Sequence, residues 1–148
     1  MPGISVYIDT SALLKWYIRE PCSDEVEAFL IGHPRVYVSR LTRAEFRCAL
    51  ARRRRSGQIS AALELEAFRL FESHLLDGVL TMLPLRDSHV ARVPSLIDDL
   101  PDVPLRTLDA IHLAIAVDSK ADLIATADKI MAQAAQQLGL QVEQFFAS

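Results

Sequence analysis

Four carboxylates occupy positions in this chain where a hydrolytic site would need them. Asp9 directly follows the apolar run Ile4-Ser5-Val6-Tyr7-Ile8, and Asp128 closely follows Leu123-Ile124-Ala125-Thr126. Glu45 and Asp109 fall near the starts of two candidate helices. In α/β folds with parallel sheets, ligands bind beyond the carboxyl ends of the strands, so two of these acids stand at strand exits. Crowded carboxylates repel one another and resist ionisation unless cations are bound. Hard ions such as Mg²⁺ or Mn²⁺ take oxygen ligands and keep water on the metal. That equips a site for phosphodiester hydrolysis, with a metal-activated water as attacker and a metal clamping the leaving oxygen.

Each acid also has a local explanation. Asp9 and Asp128 can cap the helices that follow them. Glu45 lies three residues after Thr42, in the spacing of a capping box. Asp109 sits in a first turn, where the positive end of the helix dipole favours a carboxylate. What argues beyond these readings is the conjunction of all four. If the sheet is parallel, the helix starts converge on one edge and bring their acids with them.

The elements that must position them follow from periodicity and punctuation. Ile4–Ile8 reads as a buried strand running into a helix from about Ser11, which Pro21 ends. Ser23 can cap a second helix from Asp24 to about Ile31, closed by Gly32 and Pro34. Val36–Val38 is a short strand, and Thr42 then leads a helix as far as Gly57. Ser60 caps the longest candidate helix, to about Asp77, with Leu63, Ala67, Leu70, Phe71 and Leu75 as its core stripe. Val79–Leu83 is a third strand. Asp87 opens a helical stretch carrying Val90, Val93 and Ile97, which Pro94 kinks or divides in two. Thr107 opens a helix to about Ser119, and Leu123–Thr126 is a strand. Asp128 begins the last helix, which Gly139 ends before a strand near Gln141–Phe145. Strands alternate with helices throughout, which predicts a mostly parallel sheet covered on both faces.

The formal net charge is −3, yet eight arginines (35, 40, 43, 47, 52, 53, 54 and 55) lie between Arg35 and Arg55 against a single acid, Glu45. This asymmetry points to a polyanionic partner, against the alternative of a solvated face paired with acids elsewhere. Two bound dications would more than offset the net charge. The run Arg52, Arg53, Arg54 and Arg55 is the candidate for RNA or protein contact. Helix rise sets it about 10 to 15 Å from Glu45, too far to perform chemistry. His112 and the pair Trp16 and Tyr17 read as structural and core residues beside their possible ligand or base-stacking roles.

With 51% hydrophobic and 24% charged residues the composition is that of a globular protein, and the length suits one domain over 1–148. Cys22 and Cys48 have no CxxC or zinc spacing and read as buried or partly buried thiols. The N-terminus has no basic region followed by a long apolar run, and no apolar stretch is long enough to span a bilayer, so a cytoplasmic location is expected.

Four segments carry a family resemblance: Asp9-Thr10-Ser11 after its strand, Thr42-Arg43-Ala44-Glu45, Arg106-Thr107-Leu108-Asp109-Ala110-Ile111-His112-Leu113-Ala114, and Ala125-Thr126-Ala127-Asp128-Lys129. In this order they resemble PIN-domain proteins, and look closest to the VapC toxins of bacterial toxin–antitoxin pairs. The resemblance covers essentially the whole chain. It implies a three-layer α/β/α sandwich with a central, mostly parallel sheet and an acidic pocket for Mg²⁺ or Mn²⁺. The implied activity is endonucleolytic cleavage of RNA such as tRNA or rRNA. A cognate antitoxin would inhibit the toxin, and homodimers are implied. Carried over by position, Asp9, Glu45 and Asp109 match the three principal acids and Asp128 the fourth, more variable one. Asp9 and Asp109 are expected as direct metal ligands, with Glu45 and Asp128 acting at the metal or through its waters. Ser11 and Thr126 supply hydroxyls that orient a carboxylate or water.

Two other classes compete. An aspartate-nucleophile phosphatase resembles Asp-x-Asp after its first strand, and here the third position is Ser11. A non-catalytic RNA- or protein-binding module of the same fold would not need all four acids.

Overall fold

The computed structural model describes residues 3–146. Met1 and Pro2, part of the N-terminal segment considered above, lie outside the described residues. Strand β1 (Ser5–Ile8) leads into α1 (Thr10–Tyr17), followed by α2 (Ser23–Ile31) and β2 (Arg35–Ser39). Helices α3 (Arg40–Arg55) and α4 (Ala61–Leu76) precede β3 (Leu80–Leu83). Then come α5 (Asp87–Ala91), α6 (Val93–Asp99), α7 (Thr107–Asp118), β4 (Leu123–Thr126), α8 (Lys129–Gln137) and β5 (Gln141–Gln144).

The five strands form one sheet in the order β3-β2-β1-β4-β5, and every neighbouring pair is parallel. From central β1 the chain moves outward to β2 and β3, then returns to β1's other side as β4. The winding therefore reverses between β1 and β4. A crevice at the carboxyl end of such a reversal is where open α/β sheets bind ligands. Asp9 and Asp128 follow those two strands.

Alternation along the strands feeds a core on each face. Val6, Ile8, Val36, Val38, Leu80 and Ala125 join Leu13, Val26, Phe46, Leu50 and Phe71 on one side. Tyr7 and Ile124 join Leu96, Leu100, Ile115, Met131 and Ala135 on the other. The result is a three-layer α/β/α sandwich. Helix α7 is buried continuously from Ala110 to Ala116, and an all-round apolar helix is stable only when covered on all sides. Among the described residues no helix is long and apolar enough to cross a membrane.

The expected elements are present, with local differences. The cap of α3 is Ser39, whose side chain accepts from the Thr42 N–H, while the Thr42 hydroxyl accepts from the Ser39 N–H. Thr42 is thus not the N-cap, because the helix starts straight from β2. Ser23 does not cap α2 either. Cys22 holds that position at φ 71° without a side-chain bond, and the Ser23 hydroxyl turns back to the Ile18 carbonyl at 3.2 Å. Pro94 does divide its segment into two helices, α5 and α6, but Val90 and Ile97 face solvent while His89 and Leu96 turn inward. On α4, Leu70 is exposed and Glu64 is buried. Gly57 and Gly139, which end α3 and α8, both stand at φ 81°, a backbone region favouring glycine.

Candidate active site

Asp9 is held in the sheet by its own N–H, which donates to the Ala125 carbonyl at 3.0 Å. Its side chain caps α1, with Oδ1 accepting from the Ala12 N–H at 3.1 Å. The Ser11 hydroxyl donates to Oδ1 at 2.6 Å and the Thr126 hydroxyl to Oδ2 at 2.5 Å. The two hydroxyls also accept across the β1–β4 crevice, Ser11 from the Ala127 N–H at 2.9 Å and Thr126 from the Asp128 N–H at 3.0 Å. Asp9 is only 4% exposed. Burial pushes its carboxyl above the usual range, although the Ser11 and Thr126 bonds, nearby His112 and the Ala12 N–H all oppose this.

Asp128 caps α8 and accepts from the N–H groups of Ile130 at 2.8 Å and Met131 at 3.4 Å. Asp109 stands in the first turn of α7. Its Oδ2 is buried without a hydrogen-bond partner. Burial raises its carboxyl and repulsion from Asp128 and Asp9 adds to the rise, with His112 and Arg106 opposing.

Glu45 is in the second turn of α3, not at its start, and Ser39 and Thr42 complete the capping box without it. Released from that role, its Oε1 accepts from the Thr10 hydroxyl at 2.7 Å and makes a short hydrogen bond with His112 Nε2. Burial alone would raise the Glu45 carboxyl. The His112 and Thr10 bonds, with the Arg52 guanidinium, outweigh it and hold the group below its usual range.

All four carboxylates line a single cleft of about 620 Å³, together with Ser11, His112, Arg52 and Arg53. Among the described residues, no three His, Cys, Asp or Glu side chains are gathered tightly enough to hold an ion as they stand. The donor set is nonetheless that of a hard dication. It is made of carboxylate oxygens, one of them buried and unpartnered, on acids whose mutual repulsion a cation would relieve.

The arginine run divides. Arg52 and Arg53 line the cleft. Arg53 also reaches Glu20 at 3.2 Å. Arg54 is turned away to Glu64 at 2.5 Å, as is Arg47 at 2.8 Å, while Arg55 is exposed. Trp16 and Tyr17 are core residues: Trp16 stacks on His74 at 4.7 Å, and Tyr17 packs against Phe46 and Phe71. Cys48 is exposed and lines the cleft, contrary to expectation, because it occupies the same α3 face as Glu45 and Arg52. Thr10 and Tyr7 escaped the sequence reading. A tyrosine on an inward-alternating strand position, whose hydroxyl must find a partner, was the available signal.

Against known proteins, the sequence model of the PIN domain matches residues 6–137. Ribonuclease VapC46 of Mycobacterium tuberculosis is 36% identical over 145 residues, covering 93% of this chain and 95% of that protein. The crystal structure of M. tuberculosis VapC20, described as a sarcin-ricin loop cleaving toxin, superposes with a TM-score of 0.71 at 14% identity, covering 88% of this chain and 95% of that one. DNA-bound VapBC from Salmonella typhimurium gives 0.68 at 14% identity, covering 97% and 99%. By its sequence, sheet order and acidic crevice, this chain belongs to the PIN-domain family and groups there with the VapC proteins.

Proposed function

We propose that this chain is a Mg²⁺- or Mn²⁺-dependent endoribonuclease, the toxin of a toxin–antitoxin pair, built as one nuclease domain over 1–148 and acting in the cytoplasm. The observation that carries this reading is the unpartnered, buried Oδ2 of Asp109 in a cleft shared with Asp9, Glu45 and Asp128. An anionic oxygen without a donor, raised by burial and by two neighbouring acids, is costly unless a cation arrives. Asp9 and Asp109 would hold the ion, with Glu45 and Asp128 at it or at its waters. When bound, the ion supplies an activated water and a clamp on the leaving oxygen.

The chain's own residues do the rest. Ser11 and Thr126 hold the Asp9 carboxylate by one bond to each oxygen, so its orientation is set before a ligand enters. Arg52 and Arg53 supply positive charge along the α3 side of the cleft, where flanking phosphates would be neutralised.

VapC46 is named a ribonuclease and VapC20 is described as cleaving the sarcin-ricin loop, which supports structured RNA of the rRNA or tRNA class as substrate. The VapBC neighbour supports a cognate antitoxin as protein partner, and a homodimer follows from the family resemblance. The rival reading is a non-catalytic RNA- or protein-binding module of the same fold. One experiment separates the two. Labelled total RNA is incubated with the purified protein and Mn²⁺, with and without EDTA, alongside Asp9→Asn. Cleavage by the wild type alone, and only with metal, is expected; equal cleavage by Asp9→Asn, or none by the wild type, overturns the reading.

A further inference from the structure

Beneath the cleft, a line of buried polar atoms runs from the start of α3 to the Glu45 carboxylate. The Tyr7 hydroxyl lies 2.6 Å from His112 Nδ1 and 2.9 Å from Ser39 Oγ. His112 Nε2 bonds Glu45 Oε1. Tyr7, Ser39 and His112 are all buried.

Donor counting sets the direction of this line. Glu45 is held as a carboxylate and can only accept, so the ring nitrogen facing it must carry a proton. When the imidazole is neutral that proton is its one N–H, which leaves Nδ1 bare and accepting. Among the described residues Nδ1 has the Tyr7 hydroxyl as its hydrogen-bond partner, and burial raises the pKa of that hydroxyl far above its ordinary range, so it keeps its proton. The phenol oxygen in turn accepts from Ser39, whose Oγ already accepts from the Thr42 N–H and has its own proton to give. Every proton from Ser39 through Tyr7 and His112 to Glu45 is then accounted for. The same Ser39 is the N-cap of α3, so the helix that carries Glu45 and the ring that grips it start from one side chain.

We propose that His112 is a positioning residue for Glu45: its Nε2–H, directed by the Tyr7 hydroxyl at Nδ1, anchors Oε1 and leaves the other carboxylate oxygen for the cleft. The Thr10 hydroxyl gives Oε1 its second bond. Two anchors on one oxygen restrict rotation of the whole carboxylate, which on α3 would otherwise have free χ angles. The role of Glu45 toward substrate and ion rests on the function proposed above; the proton arrangement does not.

The test has two arms. Metal-free protein labelled with ¹⁵N-histidine, observed through long-range ring correlations with the ring in its neutral form, should show His112 protonated at Nε2 and bare at Nδ1. Tyr7→Phe, which leaves the Glu45 carboxylate as acceptor at Nε2, should keep Nε2–H as the major form while freeing Nδ1 of its donor. In Mn²⁺-dependent RNA cleavage, His112→Leu should lower kcat roughly 10- to 100-fold, the usual loss when a group orienting a metal-binding carboxylate is removed, with KM nearly unchanged. His112→Gln, whose amide N–H can replace the ring donor, should recover most of that loss. If His112→Leu fails to fold, the volume-conserving Tyr7→Phe carries the same kcat-against-KM comparison. An Nδ1–H tautomer, equal losses in the Gln and Leu variants, or full activity in a folded Leu variant would each overturn the positioning role. A wild type that never cuts RNA would instead overturn the nuclease reading, and the tautomer measurement would then decide the proposal alone.

Discussion

Thr126 Oγ1 donates to Asp9 Oδ2 at 2.5 Å across 117 residues of chain, and the same hydroxyl accepts from the Asp128 N–H at 3.0 Å. One side chain at the end of β4 thus orients the acid at the end of β1 and the backbone of the acid at the start of α8. Thr126→Val keeps the shape and removes both bonds, leaving a buried carboxylate oxygen and an N–H without partners. The variant should lose about 1 to 3 kcal/mol of stability in urea unfolding and bind Mn²⁺ roughly 10- to 100-fold more weakly by calorimetry. Unchanged affinity would separate Asp9 from metal binding.

Asp9 and Asp109 share a pKa direction that makes stability depend on pH. Both are raised, mainly by burial, so between the unfolded value, near 4, and the raised folded values the native state binds more protons than the unfolded one. Unfolding free energy therefore falls as pH increases through that window. In EDTA the melting temperature of the wild type should fall relative to that of Asp109→Asn as pH rises out of the ordinary carboxylate range, and Mg²⁺ should restore it. Glu45 acts in the opposite sense: its lowered value stabilises the fold above the ordinary range and that share is lost on acidification. The same pH dependence in the wild type and in Asp109→Asn would contradict the Asp109 assignment.

Asp109→Asn should separate stability from activity. It removes an anion that Asp128 and Asp9 repel and that has no donor at Oδ2. Metal-free stability should rise by up to about 1 kcal/mol, the modest figure reflecting solvent screening of a half-buried group, while RNA cleavage is abolished. Chemical denaturation in EDTA beside a cleavage assay reads both. A destabilised variant would mean that Asp109 is already satisfied in the free protein.

Arg52 and Arg54 are two residues apart yet should behave differently. Arg52 lines the cleft, whereas Arg54 is tied to the buried Glu64. Arg52→Ala should reduce the slope of log affinity for single-stranded RNA against log salt by about 0.7, the value for one phosphate contact. Arg54→Ala should leave the slope alone and lower the melting temperature by loosening α3 from α4. Identical salt slopes for wild type and Arg52→Ala would remove Arg52 from the RNA path.

The elements were legible in the sequence because their signals are local. The abrupt end of Ile4–Ile8 at Asp9, Ser60 before α4, Pro94 in the first turn of α6, and Gly57 and Gly139 at two helix ends act within a few residues of themselves. So does capping by Asp9 and Asp128. Alternation of strands and helices was enough to imply a parallel sheet with two covered faces. Tertiary structure alone decided what depends on strand order. Only the reversal between β1 and β4 sets Thr126 against Asp9. Only tertiary packing turns Glu45 on α3 from a capping-box candidate into the partner of Thr10 on α1 and His112 on α7. The packing of α3 against α4 sends Arg54 to Glu64 while Arg52 faces the cleft. Such pairings join residues tens of positions apart, and helix and strand periodicities carry no term that reaches so far along the chain.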